Sequence, residues 1–257
     1  MAYRYVTVRV DDRVGWLEFN RPPINAFHWD MVGEVGAALH ALLDDEAVRV
    51  VVLASALEKT FSAGAELQVL QDMTPTDMGE WVSRVHGLAL DMRGARKPLL
   101  AAIHGTAVGG GLEMTLHCDL RFAATDARLG QPEINIAFIP PVATTQALVR
   151  LIGRPKALRY LYEGTLVSAQ EAHEMGLVDF LAAPEELRAR VQAYGAALAR
   201  KPAEALAAIR RCITEGEGLP FGAGLAIEAE EAIRLTGTPD FAEGVDAFLK
   251  KRQPGFR

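Results

Sequence analysis

Residues 98–118, PLLAAIHGTAVGGGLEMTLHC, place the tightest constraint on the fold: a strand-like apolar run, three consecutive glycines, and a helix-like run that contains Glu113. Glycines in series weaken strands and helices alike, so residues 109–111 point to a backbone that must come close to something. A strand-to-helix junction also presents unpaired N–H groups at the positive end of the helix, which suits a developing negative oxygen. The Gly110 amide is the candidate donor. Glu113, three residues on, shares its helix face. A buried glutamate satisfied by a neighbouring backbone group or arginine fits that position too, and position alone does not separate the two.

Strand and helix patterns alternate on both sides of this junction. YVTVRVDDRVGWLEFNRP reads as two strands around the turn Asp11-Asp12-Arg13. Met31, Val32, Val35, Ala38, Leu39 and Leu42 recur at helical spacing, and VRVVVLAS follows as a buried strand. TPTDMGEWVSRVHGLALDMRGARK predicts a helix with Thr76 as N-cap. LRFAAT reads as a strand, and Ser168 with Glu171 forms a capping-box pattern closed by Gly176. From Pro184 onward four helical segments are separated by Gly and Pro, and their alanine-rich apolar faces predict an oligomer interface.

Composition narrows the function. With 257 residues, 50% hydrophobic and 23% charged, the chain can build a large core and lacks the character of a disordered one. A net charge of −6 weighs against a nucleic-acid partner. No apolar run reaches the about 18 residues of a membrane span, and MAYRYVTVRV lacks a basic-then-apolar leader, so the expectation is a cytoplasmic protein with no membrane partner. Cys118 and Cys212 read as buried free thiols. The histidines show no metal-ligand spacing, so no metal is expected, and His104 reads as a structural residue at a strand end. Motifs for a hydrolase elbow, a dinucleotide fold or a P-loop are absent.

Two further stretches bear on Glu113. KTFSAGAEL offers a second small-residue loop, Ala63, Gly64 and Ala65, after the buried strand. LGQPEINIAFIP supplies a second glutamate, Glu133, ahead of an apolar run. Desolvation by INIAFIP and a nearby carboxylate favour the neutral form of Glu133, whereas a helix start at Pro132 favours the anion.

Together EKTFSAGAEL, AAIHGTAVGGGLEMTLHCDLRFAATDARLGQPEINIAFIP, VSAQEAHEMGLVD and FLKKRQPGF resemble the enoyl-CoA hydratase/isomerase, or crotonase, family over essentially the whole chain, including the 20-residue interval between Glu113 and Glu133. The resemblance implies an α/β fold, a crotonase-like spiral of ββα units over residues 1–195 for acyl-CoA binding and catalysis. A helical C-terminal oligomerisation region would follow over residues 196–257, building homotrimers or homohexamers. It implies an oxyanion hole from the Ala65 and Gly110 amides, with Glu113 handling water and Glu133 the α-proton of an enoyl-CoA thioester. Ile24, Asn25, Ala26, Ala63, Gly64 and Leu67 would line the coenzyme A channel. Phe248 and Lys251 would reach a neighbouring subunit's substrate. No cofactor is implied, since coenzyme A enters as part of the acyl-CoA substrate.

The chain departs from the family pattern at Pro141, Val142, Ala143 and Thr144, where hydratases carry a Gly-rich loop. Pro141 has no N–H to offer a water or hydroxyl, so a backbone contact is expected to be lost and the pocket beside Glu133 to stiffen. The PPVA loop is similar to that of hydratases of cyclic dienoyl-CoA substrates. Glu66 stands where an Asp is usual, and Met73, Met78 and Trp81 lie in the segment expected over the acyl chain. Two rival readings stand beside the hydratase: an enoyl-CoA isomerase, and RNA binding through Arg84, Arg93, Arg96 and Lys97.

Overall fold

The computed structural model describes residues 3–256. A hairpin, β1 (Val6–Asp11) and β2 (Val14–Phe19), leads into α1 (Trp29–Asp44) and β3 (Val50–Ser55). The next units are β4 (Thr60–Ser62), α2 (Leu67–Gln71) and α3 (Pro75–Gly94), then β5 (Leu99–Ile103), β6 (Thr106–Val108) and α4 (Gly110–Thr115). β7 (Leu120–Ala124) and β8 (Arg128–Gly130) precede a 3₁₀ turn, Pro132–Ile136, followed by α5 (Thr144–Ile152) and α6 (Arg154–Glu163). β9 (Leu166–Ser168), α7 (Ala169–Met175) and β10 (Phe180–Ala182) complete the α/β portion. Four helices follow: α8 (Leu187–Ala199), α9 (Ala203–Gly216), α10 (Phe221–Thr236) and α11 (Pro239–Leu249).

The strands form two sheets. The larger runs β1-β2-β3-β5-β7-β10, antiparallel only at the opening hairpin. β2, β3 and β5 are buried at every residue, as parallel strands covered on both faces must be. α1 closes one face with the same six apolar residues that its spacing marks, Met31 to Leu42. α8 lies against the sheet, where Gln192 accepts a hydrogen bond from the buried Trp16 indole at 2.7 Å. α8 is one continuous helix across the expected 195/196 division.

The smaller sheet, β4-β6-β8-β9, positions the site. β4, β6 and β8 are parallel, so their C-terminal ends emerge side by side. Each strand is only three residues long, too short to show a period, and none is legible as a strand in the sequence.

Three local expectations are corrected. The N-cap of α3 is Thr74, not Thr76: Pro75 occupies the first helical position, where a missing N–H is harmless, and Asp77 reciprocates with a bond from the Thr74 N–H at 2.9 Å. α4 ends at Thr115, because the buried Arg121 takes up the Thr115 and Cys118 carbonyls. Cys118 is buried but Cys212 is only half-buried. The Ser168–Glu171 capping box and the Gly176 stop form as expected.

Arg210 of α9 joins the helical region to the core. It pairs with Asp119 at 2.9 Å and donates to the carbonyls of Met92, Arg93 and Ala95 at the end of α3. Asp119 in turn accepts from the Leu99 amide that starts β5, at 2.8 Å. No helix among the described residues is long and apolar enough to cross a membrane.

Candidate active site

The three parallel ends of the small sheet deliver three loops to one cavity. β4 releases residues 63–65, β6 releases the glycines and α4, and β8 releases the turn that carries Glu133. Each glycine of the triplet has its own reason. Gly109 takes a left-handed φ of +50°, and a β-carbon there would lie 2.8 Å from Glu133 Oε1 and 3.3 Å from the Gly64 Cα. A β-carbon on Gly111 would lie 2.2 Å from the Ser62 Cβ, so α4 could not seat on β4. Gly110 is free of both conflicts and opens the helix with its amide unspent.

A matching amide sits on the facing loop. Phe27 pairs with this loop by donating to the Gly64 carbonyl at 2.7 Å and accepting from the Glu66 amide at 2.8 Å, a pattern that passes over the Ala65 N–H. Gly64 is backed onto the glycine triplet: a β-carbon on it would lie 3.5 Å from the Gly110 nitrogen. Ala65 and Gly110 therefore bring two unpaired donors to adjacent backbone segments, and both line the cavity. Such a pair can stabilise negative charge developing on an oxygen between them.

The cavity encloses about 270 Å³ and is largely apolar. Phe27, Val32, Trp81, Val85, Leu88 and Met114 form its wall, and Glu113 and Glu133 both reach it. Glu113 is fully buried, and its Oε2 accepts from the Val142 N–H at 2.7 Å and the Thr144 hydroxyl at 2.6 Å. Burial, with Glu133 adding repulsion, pushes its carboxyl up to about 8 against the pull of the Thr144 and Val142 bonds. Burial likewise pushes Glu133 up to about 7. Its Oε2 is buried with no hydrogen-bond partner. Two carboxyls raised in this way can hold a shared proton near neutral pH, which is what paired acid and base chemistry needs.

Of the residues expected at the site, Ala63, Gly64, Ala65, Leu67, Gly110, Glu113, Glu133 and Pro141 all border this cavity. Ile24, Asn25 and Ala26 do not. Asn25 is buried and turned inward, where its amide donates to the Phe19 and Phe61 carbonyls and to Ser55 Oγ. The Asn25 carbonyl accepts from Ser62 Oγ, which in turn accepts from the Gly64 amide at 3.1 Å, so Asn25 supports the donor loop from behind. Phe248, 84% exposed, and Lys251 stand on the far helical region and do not approach this cavity of their own chain.

Neighbouring residues resolve as well. Trp81 lines the cavity, while Met73 and Met78 pack against the core. Glu66 pairs with Arg21 at 2.7 Å and ties the donor loop to residues 21–26. His104 bonds the Leu57 carbonyl at 2.6 Å, away from the cavity. The basic run is engaged internally: Arg93 with Glu217, Arg96 with Glu204, Lys97 with the Leu42 and Asp45 carbonyls, and Arg84 over the Trp29 ring.

The PPVA segment does lack a donor at Pro141, but the next amide, Val142, is spent on Glu113. The segment is held from outside, since His86 bonds the Pro141 carbonyl and His117 the Val142 carbonyl, each at 2.8 Å. Thr144 is the contact that sequence reasoning missed. Nothing in its surroundings marks it, because it meets Glu113 across 31 residues of chain.

The sequence pattern of the enoyl-CoA hydratase/isomerase family matches residues 9–257. The crotonyl-CoA hydratase of Syntrophomonas wolfei subsp. wolfei is 32% identical over 257 residues, spanning 100% of this chain and 99% of that protein. A probable enoyl-CoA hydratase of Bacillus subtilis is 34% identical over 254 residues, 98% of each chain. The crystal structure of an enoyl-CoA hydratase from Geobacillus kaustophilus superposes with a TM-score of 0.97 at 31% identity, covering 100% of this chain and 98% of that one.

Proposed function

The chain belongs to the enoyl-CoA hydratase/isomerase family, and on that premise we propose how it works as an enoyl-CoA hydratase: two amides hold the thioester oxygen while two glutamates add water across the 2,3 double bond. The observation that carries this reading is the convergence of the Ala65 and Gly110 amides with Glu113 and Glu133 on one apolar cavity. Glu113, as carboxylate, takes a proton from water as the oxygen adds to the β-carbon. The alkene electrons move onto the thioester oxygen, which the Ala65 and Gly110 N–H groups stabilise as an oxyanion hole. Glu133 then gives its proton to the α-carbon, and the product leaves with one water added.

Coenzyme A enters as part of the substrate, and no resident cofactor is required. The internal pairing of Arg93, Arg96 and Lys97 weighs against an RNA-binding role. The exposed apolar side chains of the last helices, Phe221, Ile233 and Phe248 among them, support self-association, for which the family resemblance implies a homotrimer or homohexamer.

Mixing the protein with crotonyl-CoA tests the reading. Hydration removes the conjugated enoyl absorbance, and an enzyme that only isomerises leaves it intact, which would overturn the proposal. A parallel panel of linear, branched and cyclic enoyl-CoA esters ranks the substrates.

The pH profile of kcat/KM is expected to be a narrow bell between the two raised values, about 7 for Glu133 and about 8 for Glu113, with the working arrangement, Glu113 ionised and Glu133 protonated, the minor form of the singly protonated pair. Below the lower value both carboxyls are protonated and no base remains. Above the higher one both are ionised and no acid remains. Initial rates from pH 5.5 to about 9.5 check this. A plateau extending down to about pH 5 would show that burial does not set the chemistry.

A further inference from the structure

The Glu113 carboxyl accepts two hydrogen bonds, and both come from the short segment that opens α5. Thr144 is fully buried at the first position of that helix, where Ala143 turns the chain with a left-handed φ of 55°. Its hydroxyl lies 2.6 Å from the same Oε2 that the Val142 amide meets. Oε2 is thereby saturated, and Oε1 is left without a protein partner on the cavity side. We propose that Thr144 is the positioning residue of the water-activating base, fixing Oε2 so that Oε1 faces the reacting atoms and favouring the carboxylate over the acid. The inference rests on the hydratase reading above.

The segment is rigid enough for this role. His117, at the end of α4, and His86 of α3 donate Nε2–H to consecutive carbonyls, Val142 and Pro141. The two residues that lead into Thr144 by way of Ala143 are thus each anchored to a neighbouring helix or its end. The hydroxyl opposes what burial does, since a bond donated to the ionised carboxylate stabilises it.

The titratable groups around Glu113 come from every element packed against it. Glu133, on the 3₁₀ turn, is itself raised by burial to about 7 and titrates in this range, its charge adding to the rise of Glu113. His117, with Arg93 and Arg121 near it, is pushed by burial down to about 4 and stays neutral. Burial pushes Cys118 up to about 12 and raises Tyr160 of α6, which faces Glu133. His86 reaches the same segment from α3 through its Nε2 bond to the Pro141 carbonyl.

Thr144→Val removes the donor at nearly constant volume. The expected result is a kcat lowered about tenfold, a KM within about twofold of the parent, and the alkaline limb, which Glu113 sets near 8, moved up by about one pH unit. Thr144→Ser restores the rate and the limb. The Glu113 carboxyl is also followed directly, as the infrared band missing from Glu113→Gln, and in Thr144→Val it should titrate about one unit higher than in the parent. If the parent hydrates no enoyl-CoA ester, the hydratase reading fails while the infrared titration still decides the role of Thr144. If the parent is active and Thr144→Val loses Tm but keeps its alkaline limb and its band position, Thr144 only packs and the inference is overturned.

Discussion

Glu113→Gln and Glu133→Gln each lower hydration of crotonyl-CoA by about 10²- to 10⁴-fold, with coenzyme A affinity within about twofold of the parent. The substitution keeps shape and removes only the transferable proton or lone-pair charge. At position 113 the amide oxygen of glutamine still accepts from Val142 and Thr144, so the buried donors stay satisfied. At position 133 the Oε2 site has no hydrogen bond to lose. Steady-state rates with competition by free coenzyme A separate chemistry from binding. Rates within about threefold of the parent would remove the assignments, being far below what general acid-base groups supply.

A backbone donor is harder to delete than a side chain, but Gly110 permits it. It occupies the first turn of α4, where proline is tolerated because the N–H has no intrahelical acceptor. A β-carbon there finds only Phe27 Cδ2 at 4.0 Å. Gly110→Pro is therefore expected to fold and to lower kcat by about 10²- to 10³-fold, the usual loss for one oxyanion donor. Gly110→Ala keeps the N–H and serves as the control for bulk. Similar losses in both variants would show that crowding, and not the missing hydrogen, limits the reaction.

The large sheet and its covering helices were legible because their apolar residues recur with a period long enough to read, as with Met31 through Leu42. The donor loops were legible for a different reason: small residues in series are costly unless a backbone needs room, and residues 63–65 and 109–111 lie where strands end. What escaped was set by contacts remote in sequence. The strands of the small sheet are three residues each and owe their existence to pairing, not to pattern. Asn25 sits behind the donor loop, and which way its side chain turns is decided by Phe19, Ser55 and Phe61. Thr144 finds its meaning only when Glu113 is placed against it.

Arg210 gives the last helices a part in this arrangement that their distance from the cavity conceals. Its guanidinium braces the end of α3 and, through Asp119, the first residue of the strand that feeds the glycine junction. Cutting the chain ahead of α9 would strip the carbonyls of Met92, Arg93 and Ala95 of that cation and leave a carboxylate beneath β5 without its counter-ion. Whatever settles on the outer surface of those helices is thereby mechanically linked, through Arg210 and the neighbouring Arg93–Glu217 and Arg96–Glu204 pairs, to the footing of the donor loops.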